Sequence, residues 1–183
     1  MGTHKKHIAR AYQAGFSLIE VLAALLAFSI ILITVGSIFV RMVAFQRRGF
    51  AAQKIQENSL YVLELMAREI RVSTIGPNQD NDCSSTPGTT LSMNHPVNGS
   101  VTYSLSPEGM VSRTVGGVEA YISSRDVKFT SLGFCINGSS RDQKQARIAI
   151  IATVENTEGL PAEKLTFHLE TMVAAREIAT ELQ

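Results

Sequence analysis

The apolar residues of the chain concentrate near its N-terminus in one long uninterrupted stretch. Residues 16–40 read FSLIEVLAALLAFSIILITVGSIFV, and Glu20 is the one charged residue among them. A helix of this length would measure about 37 Å, which is enough to cross a hydrocarbon core of about 30 Å. The pattern therefore predicts a membrane-spanning helix.

The next segment, residues 41–75, predicts an amphipathic continuation of that helix. Apolar and small residues recur at steps of three and four, as in one face of a helix. This stripe consists of Phe45, Ala52, Ile55, Ser59, Val62, Leu63, Met66 and Ile70. The opposite face carries residues of both charges, and Glu69 is one of them. Gly76-Pro77 is a conventional helix stop. We expect this half of the helix to pack on a globular head.

From residue 89 onward the hydrophobic period changes to two, which indicates β-strands. Val101–Leu105 alternates, and Ser106–Gly109 then predicts a turn into a strand over Met110–Val115. Residues 127–130 and 165–170 alternate in the same way, and the β-branched run Ala146–Val154 predicts a central strand. The sequence thus predicts an α+β fold, in which the second half of the long N-terminal helix packs on one antiparallel sheet of five to six strands.

The overall amino-acid composition adds little to this predicted fold unless each part of the chain is considered separately. The 183 residues are 45% hydrophobic and 18% charged, with a net charge of +1 and two cysteines. These values exclude a disulfide-rich scaffold, a disordered chain and a collagen-like chain. The one apolar stretch, with Glu20 as its one charged residue, lowers the charged fraction of the chain.

Three interpretations compete for the N-terminal 40 residues. A cleaved secretory signal peptide has an apolar region of roughly 7–15 residues, shorter than the one here. A plain membrane anchor fits the basic segment that precedes it, which contains Lys5, Lys6 and Arg10. The third interpretation gives Glu20 a function, because a carboxylate inside a spanning helix costs roughly 2.5–3.5 kcal/mol or more and needs a partner.

The residues around Glu20 resemble a known processing motif. Gly15-Phe16-Ser17-Leu18-Ile19-Glu20-Val21-Leu22 is similar to the motif of type IV prepilins and of type II secretion pseudopilins, in which a short basic leader precedes Gly, Phe, a small polar residue, Leu, Ile and Glu. The close similarity covers roughly residues 1–45, and the remainder resembles pilin heads in layout alone.

The resemblance implies a role for three residues. Prepilin peptidase would cleave after Gly15, and the same enzyme would methylate the new N-terminal amine of Phe16. Glu20 would then neutralise the N-terminal amine of a neighbouring subunit during assembly, since opposite charges in a low-dielectric helix bundle each need a partner.

The resemblance also implies a division of the chain and a set of partners. We expect a leader peptide over residues 1–15, a transmembrane and filament-core helix over 16–40, its amphipathic continuation over 41–75 and a β-rich pilin head over 76–183. The implied partners are other pilin or pseudopilin subunits, prepilin peptidase, the inner-membrane assembly platform and the membrane itself. The head would lie outside the cytoplasm, first at the inner membrane and later in a filament at the periplasm or cell surface.

Two departures from major pilins favour a minor pilin, with a J-type pseudopilin of a type II secretion system as the alternative. Many major pilins carry Pro at the twenty-second mature residue, where this chain has Ser37 beside Gly36. Their paired cysteines also lie close to the C-terminus, whereas the cysteines here are Cys83 and Cys135. An extracytoplasmic head permits a Cys83–Cys135 disulfide, and two free buried thiols are the alternative.

We expect no enzyme activity, no cofactor and no metal site. The four histidines fall at His4, His7, His95 and His168, and no catalytic, metal-binding or phosphate-binding motif accompanies them. Removal of the three basic leader residues from the 17 Lys+Arg would leave 14 against 16 Asp+Glu, which argues against direct nucleic-acid binding. A single-pass, membrane-anchored binding module with an uncleaved N-terminus is the alternative from another functional class.

Overall fold

A computed structural model describes residues 15–76, 81, 86–138, 145–157, 159 and 164–175. The fold is α+β, with one long N-terminal helix followed by antiparallel β-structure. The chain divides after Val43 into two compact units.

Helix α1 spans Leu18–Val72. It contains no proline and begins after Ser17. It ends at Val72, and Ser73 then leads into the first strand. The Ser73 hydroxyl donates to the Glu69 carbonyl at 2.6 Å. The helix is slightly shorter at both ends than the predicted 16–75, because its first and last turns are closed by these two serines.

Eight strands follow in the described parts of the second unit, and they form two separate sheets. Sheet A has the order β1-β2-β3-β4-β5, and sheet B has the order β6-β7-β8. The strands of sheet A are β1 Thr74–Ile75, β2 Thr90–His95, β3 Gly99–Leu105, β4 Val111–Val115 and β5 Val118–Tyr121. Those of sheet B are β6 Val127–Asn137, β7 Arg147–Asn156 and β8 Thr166–Ala174.

The strands within each sheet pair antiparallel with their neighbours in chain order. The predicted hairpin around residues 101–115 is present as β3 and β4, and the predicted central strand is β7. Gly116 and Gly117, both at positive φ, make the two-residue turn from β4 to β5, a conformation that glycine adopts without steric cost.

The predicted α+β fold, with a long helix followed by antiparallel β-structure, is confirmed, although the described strands form two sheets where one was expected. Strand β6 also departs from the simple alternation that the sequence analysis used. Its pairing with β7 shifts at a β-bulge between Phe129 and Ser131. Before the bulge the odd-numbered Val127 and Phe129 are buried, and after it the even-numbered Leu132 and Phe134 are buried. The extra residue bends the strand and changes which side chains face inward, so simple alternation fails along β6.

The core of the second unit contains residues from α1 and from both sheets. The buried face of the helix consists of Ile55, Ser59, Val62, Met66, Ala67 and Ile70. Five of these residues, all but Ala67, belong to the predicted stripe, whereas Phe45 of that stripe is 77% exposed. The stripe thus becomes a core face only from Ile55 onward.

Candidate functional site

The N-terminus of α1 is closed by a reciprocal pair of hydrogen bonds between Ser17 and Glu20. The backbone N–H of Glu20 donates to the Ser17 hydroxyl at 3.3 Å. In return, Glu20 Oε2 accepts from the Ser17 backbone N–H at 3.2 Å and from its hydroxyl at 3.4 Å. This Ser-x-x-Glu arrangement is a capping box, in which two side chains satisfy backbone donors that a helix start leaves unpaired.

The capping box keeps the Glu20 carboxylate at the surface of the helix. A shallow groove of about 660 Å³ surrounds it, lined by Phe16, Glu20, Val21, Ala24, Leu25 and Phe28. Phe16 itself is 86% exposed. The predicted processing residue Phe16 therefore lies beside the carboxylate. A Cβ at the preceding Gly15 would meet no atom of the described residues within 4 Å, its chain neighbours aside.

The apolar segment that follows Glu20 is exposed along its length. All side chains from Leu18 to Val40 are exposed, and none of the most apolar window of the helix is buried. The hydroxyls of Ser29, Thr34 and Ser37 donate to helix carbonyls three or four residues earlier, so they are satisfied inside the segment. The segment is long and apolar enough to cross a membrane, and its exposed surface needs lipid or other helices to cover it.

Cys135 lies on β6, where it is buried and disulfide-bonded. Two isolated antiparallel bridges flank it, Asn81 with Ile136 and Gly88 with Phe134. The sequence contains one other cysteine, Cys83, which lies outside the described residues. The pairing of the two stays a prediction, and the bridges bring the chain on both sides of Cys83 to the edge of β6.

A second polar cluster, which sequence reasoning missed, joins α1 to sheet A. Glu69 is 12% exposed in its side chain and accepts hydrogen bonds from two strands. The Tyr103 hydroxyl of β3 donates to Oε2 at 2.6 Å, while Arg113 of β4 donates through Nε to Oε2 at 3.0 Å and through Nη2 to Oε1 at 2.6 Å. The sequence pattern assigns Glu69 to the polar face of the helix with the other charged residues. In the structure, Glu69 borders the buried face instead.

The environment of this cluster fixes its protonation state. Burial alone would raise the pKa of the Glu69 carboxyl, but the hydrogen bonds from Arg113 and Tyr103 and the positive charge of Arg113 outweigh burial and lower the pKa from its ordinary value of 4.5. Burial and the Glu69 carboxylate together raise the pKa of the Tyr103 hydroxyl, which keeps it a donor. Glu69 is therefore an ionised carboxylate that holds two strands to the helix.

The remaining histidines of the described chain have local partners. His95 Nδ1 accepts from the backbone N–H groups of Val97 and Asn98 at 3.2 Å each, which closes the turn between β2 and β3. His168 Nδ1 lies 3.1 Å from the Thr153 hydroxyl on the neighbouring strand. Among the described residues, no three His, Cys, Asp or Glu side chains are grouped as a metal ion would require.

Comparison with known proteins gives one match, and it falls on the N-terminal site. No curated protein and no solved structure matches the chain. The family model of the prokaryotic N-terminal methylation motif matches residues 10–36, which include Gly15, Phe16 and Glu20 together with most of the exposed apolar segment. The resemblance stated from the sequence is thereby confirmed: this chain carries the N-terminal methylation motif that is the hallmark of type IV pilin-like prepilins.

Proposed function

We propose that the protein is a structural and assembly subunit of a type IV pilus-like filament, and specifically a minor pilin. The observation that carries the proposal is the overlap of the methylation motif, at residues 10–36, with the apolar part of α1, which no other residue in the described part of the chain covers. An apolar surface of this kind suits storage in a membrane and later burial among neighbouring subunits.

In this proposal, processing frees the Phe16 amine four residues before Glu20. Prepilin peptidase removes residues 1–15 and methylates the amine. In a helix bundle the charged Glu20 and the charged amine of a neighbour each lack water, so their pairing fixes the axial register of adjacent subunits. Glu20 then acts in assembly and takes no part in catalysis, and the head mediates contacts with other subunits.

The first experiment measures the N-terminus. Mass spectrometry of membrane fractions from cells that contain prepilin peptidase should find a chain that starts at Phe16 and carries a methyl group. Cells with an inactive peptidase are the control and should retain residues 1–15. An intact leader in both strains would instead support a single-pass anchored binding module.

The second experiment separates processing from assembly. Glu20→Ala should be cleaved at a normal level but fail to enter filaments, because the neighbour's amine loses its counter-charge. Glu57→Ala is the matched control, since Glu57 is an exposed acid of the same helix outside the apolar segment, and its carboxylate accepts a hydrogen bond from Gln53 one turn earlier. Normal incorporation of Glu20→Ala would contradict the assembly role.

A pseudopilin of a type II secretion system is the second candidate. The absence of a proline within α1, with Ser37 at the twenty-second mature position, favours either a minor pilin or a pseudopilin over a major pilin. Deletion of the gene distinguishes them: loss of surface filaments supports the minor pilin, and retention of exported enzymes inside the cell supports the pseudopilin.

A further inference from the structure

Strand β8 forms an edge of sheet B with which no other strand of the described chain pairs. It extends over nine residues, Thr166–Ala174, without a proline, a glycine or a break in its pairing with β7. Long and regular edges are templates for a further strand, and folded proteins usually shorten, bend, charge or cover them. An open edge of this length therefore indicates an interaction surface.

The other edges of the two sheets are protected. The outer edge of β6 is covered at two points, where Asn81 and Gly88 exchange backbone hydrogen bonds of 2.7–2.9 Å with the strand. The edges of sheet A are short, since β1 has two residues and β5 has four. Among the described strands, β8 is thus the one long edge without such protection.

The register of sheet B shows which residues of β8 direct their backbone groups outward. The Ala175 N–H donates to the Ala146 carbonyl at 2.8 Å, which continues the register of β7 and β8, so the odd-numbered residues here bond to β7. Backbone groups alternate between the two sides of an antiparallel strand. The even-numbered residues from Thr166 to Ala174 therefore present the N–H and C=O groups that a second strand would use.

The side chains of β8 divide between its two faces. The outer face consists of the exposed even-numbered residues, which include His168 and Glu170. On the inner face, Phe167 and Leu169 pack against the core but remain partly exposed, whereas their partners on β7 are buried. A strand added beside β8 would cover this remaining apolar surface.

Charge complementarity indicates that a second β8 fits this edge. Antiparallel self-pairing that keeps outer side chains together places a two-fold axis at one residue. With Glu170 at the axis, two carboxylates stand directly opposite each other, which is destabilising. With Thr171 at the axis, Glu170 faces the thioether of Met172. With Leu169 at the axis, His168 of each copy faces Glu170 of the other, and symmetry makes this contact twice.

His168 can serve as the donor in the register centred on Leu169. Its Nδ1 lies 3.1 Å from the Thr153 hydroxyl of β7. When that hydroxyl donates to Nδ1, the neutral ring carries its hydrogen on Nε2. This second nitrogen then donates to the carboxylate of Glu170 in the other copy.

We propose that two copies of this chain pair through their β8 edges, antiparallel and with the two-fold axis at Leu169. The two copies of sheet B then form one sheet of six strands, three from each copy. An isologous contact of this kind closes on itself, so it differs from the head-to-tail contacts that extend a filament. The inference goes beyond the proposed function and does not depend on it, because it makes no use of the N-terminal helix.

Single cysteines locate the axis. The full chain is purified in detergent, oxidised with copper phenanthroline and separated without reductant, with the unaltered chain as the reference. Leu169→Cys should form a covalent dimer, because Cα atoms opposite each other at a non-hydrogen-bonded position lie about 4.5 Å apart, within reach of a disulfide. Met172→Cys is the matched control. Met172 is 68% exposed, but its two copies would lie about 20 Å apart along the paired strands.

Charge variants test the contact that selects the register. His168→Glu places like charges opposite each other at both contacts and should lower the association constant by about tenfold or more. His168→Glu/Glu170→His exchanges the two members of each pair and should recover most of the association. Sedimentation equilibrium in detergent measures both constants, and circular dichroism checks that each variant is folded.

Each outcome has a distinct meaning. Equal cross-linking of Leu169→Cys and Met172→Cys would show random collision and overturn the pairing. Stronger cross-linking of Glu170→Cys or Thr171→Cys than of Leu169→Cys would overturn the register. A chain that stays monomeric at every concentration, or an exchanged variant that does not recover, would contradict the proposal. None of these results depends on cleavage after Gly15, so a failure here is distinguishable from a failure of the proposed function.

Discussion

The Tyr103 hydroxyl donates a 2.6 Å hydrogen bond to Oε2 of Glu69 and so ties strand β3 to the second half of α1. The same oxygen accepts from Arg113 Nε, and the other carboxylate oxygen accepts from Arg113 Nη2. One carboxylate therefore serves two neighbouring strands of sheet A. An ionised group in this position is stabilising only while both donors remain.

We predict that Glu69→Gln lowers the free energy of unfolding by about 2 kcal/mol, because the variant leaves the Arg113 guanidinium largely enclosed and without its anion. Urea titration of the detergent-solubilised chain at pH 7 measures the change. Arg68→Gln is the control, since the Arg68–Glu64 pair lies on the same helix with 71% and 64% exposed side chains and should cost less than about 1 kcal/mol. Equal losses in the two variants would contradict a special role for Glu69.

The Glu69 carboxylate also predicts that the free energy of unfolding depends on pH in the acidic range. The pKa of Glu69 is lower in the folded chain than its ordinary value of 4.5. The folded state therefore binds this proton less readily than the unfolded state, so the stabilisation is present above pH 4.5 and is lost as the pH falls through the folded-state pKa. The difference in unfolding free energy between the unaltered chain and Glu69→Gln should shrink below pH 4.5. A difference that stays constant into that range would contradict the lowered pKa.

Two buried serines, Ser59 within α1 and Ser73 directly after it, should respond in opposite ways to replacement by alanine. The Ser59 hydroxyl is 1% exposed and has no hydrogen-bond partner among the described residues, whereas the Ser73 hydroxyl donates to the Glu69 carbonyl. We expect Ser59→Ala to raise the free energy of unfolding by up to about 1 kcal/mol, since it removes an unsatisfied polar group and improves helix propensity. Ser73→Ala should lower it by about 1 kcal/mol. Thermal unfolding of both variants compares them, and a loss of stability in Ser59→Ala would indicate a hidden partner.

A Cys83–Cys135 disulfide predicts that the losses of stability caused by replacing the two cysteines are not additive. Cys83→Ser and Cys135→Ser should each lower the unfolding free energy by about 2–4 kcal/mol, and the double variant should lose no more than either single one. Urea titration provides the values, and peptide mapping without reductant identifies the linked peptides. Additive losses, or a Cys135 peptide linked to a second chain, would contradict the intramolecular pairing.

The helix and the motif at its start could be predicted from the sequence, because both depend on residues that are close together in the chain. Ser17 and Glu20 stand three residues apart, and the apolar segment is continuous, so neither needs information from the head. Strand β7 was also predictable, since its β-branched and mostly apolar run Ala146–Val154 is continuous. The family model matches residues 10–36, which also belong to the part of the chain that local sequence patterns predicted best.

Long-range relationships account for what local patterns did not predict. Glu69 meets Tyr103 and Arg113, which lie 34 and 44 residues later, so the sequence near Glu69 contains no sign of them. The β6 bulge likewise changes the inward face between Phe129 and Ser131 without a glycine or proline to mark it. The division into two sheets lies between β5 and β6, which do not pair, and hydrophobic periodicity does not indicate which strands pair.

The order of strands has a kinetic consequence. Each strand of sheets A and B pairs with the strand that precedes or follows it in the chain, and the turn from β4 to β5 has two residues. Short loops close quickly and cost little entropy, so these hairpins need no distant segment in order to form. We expect the packing of α1 on the sheets to be the slow step, because Glu69 and the buried helix face contact strands that lie tens of residues later in the chain. We therefore expect mutations in the hairpins to change the folding rate, and mutations in the helix–sheet contacts to change chiefly the rate of unfolding.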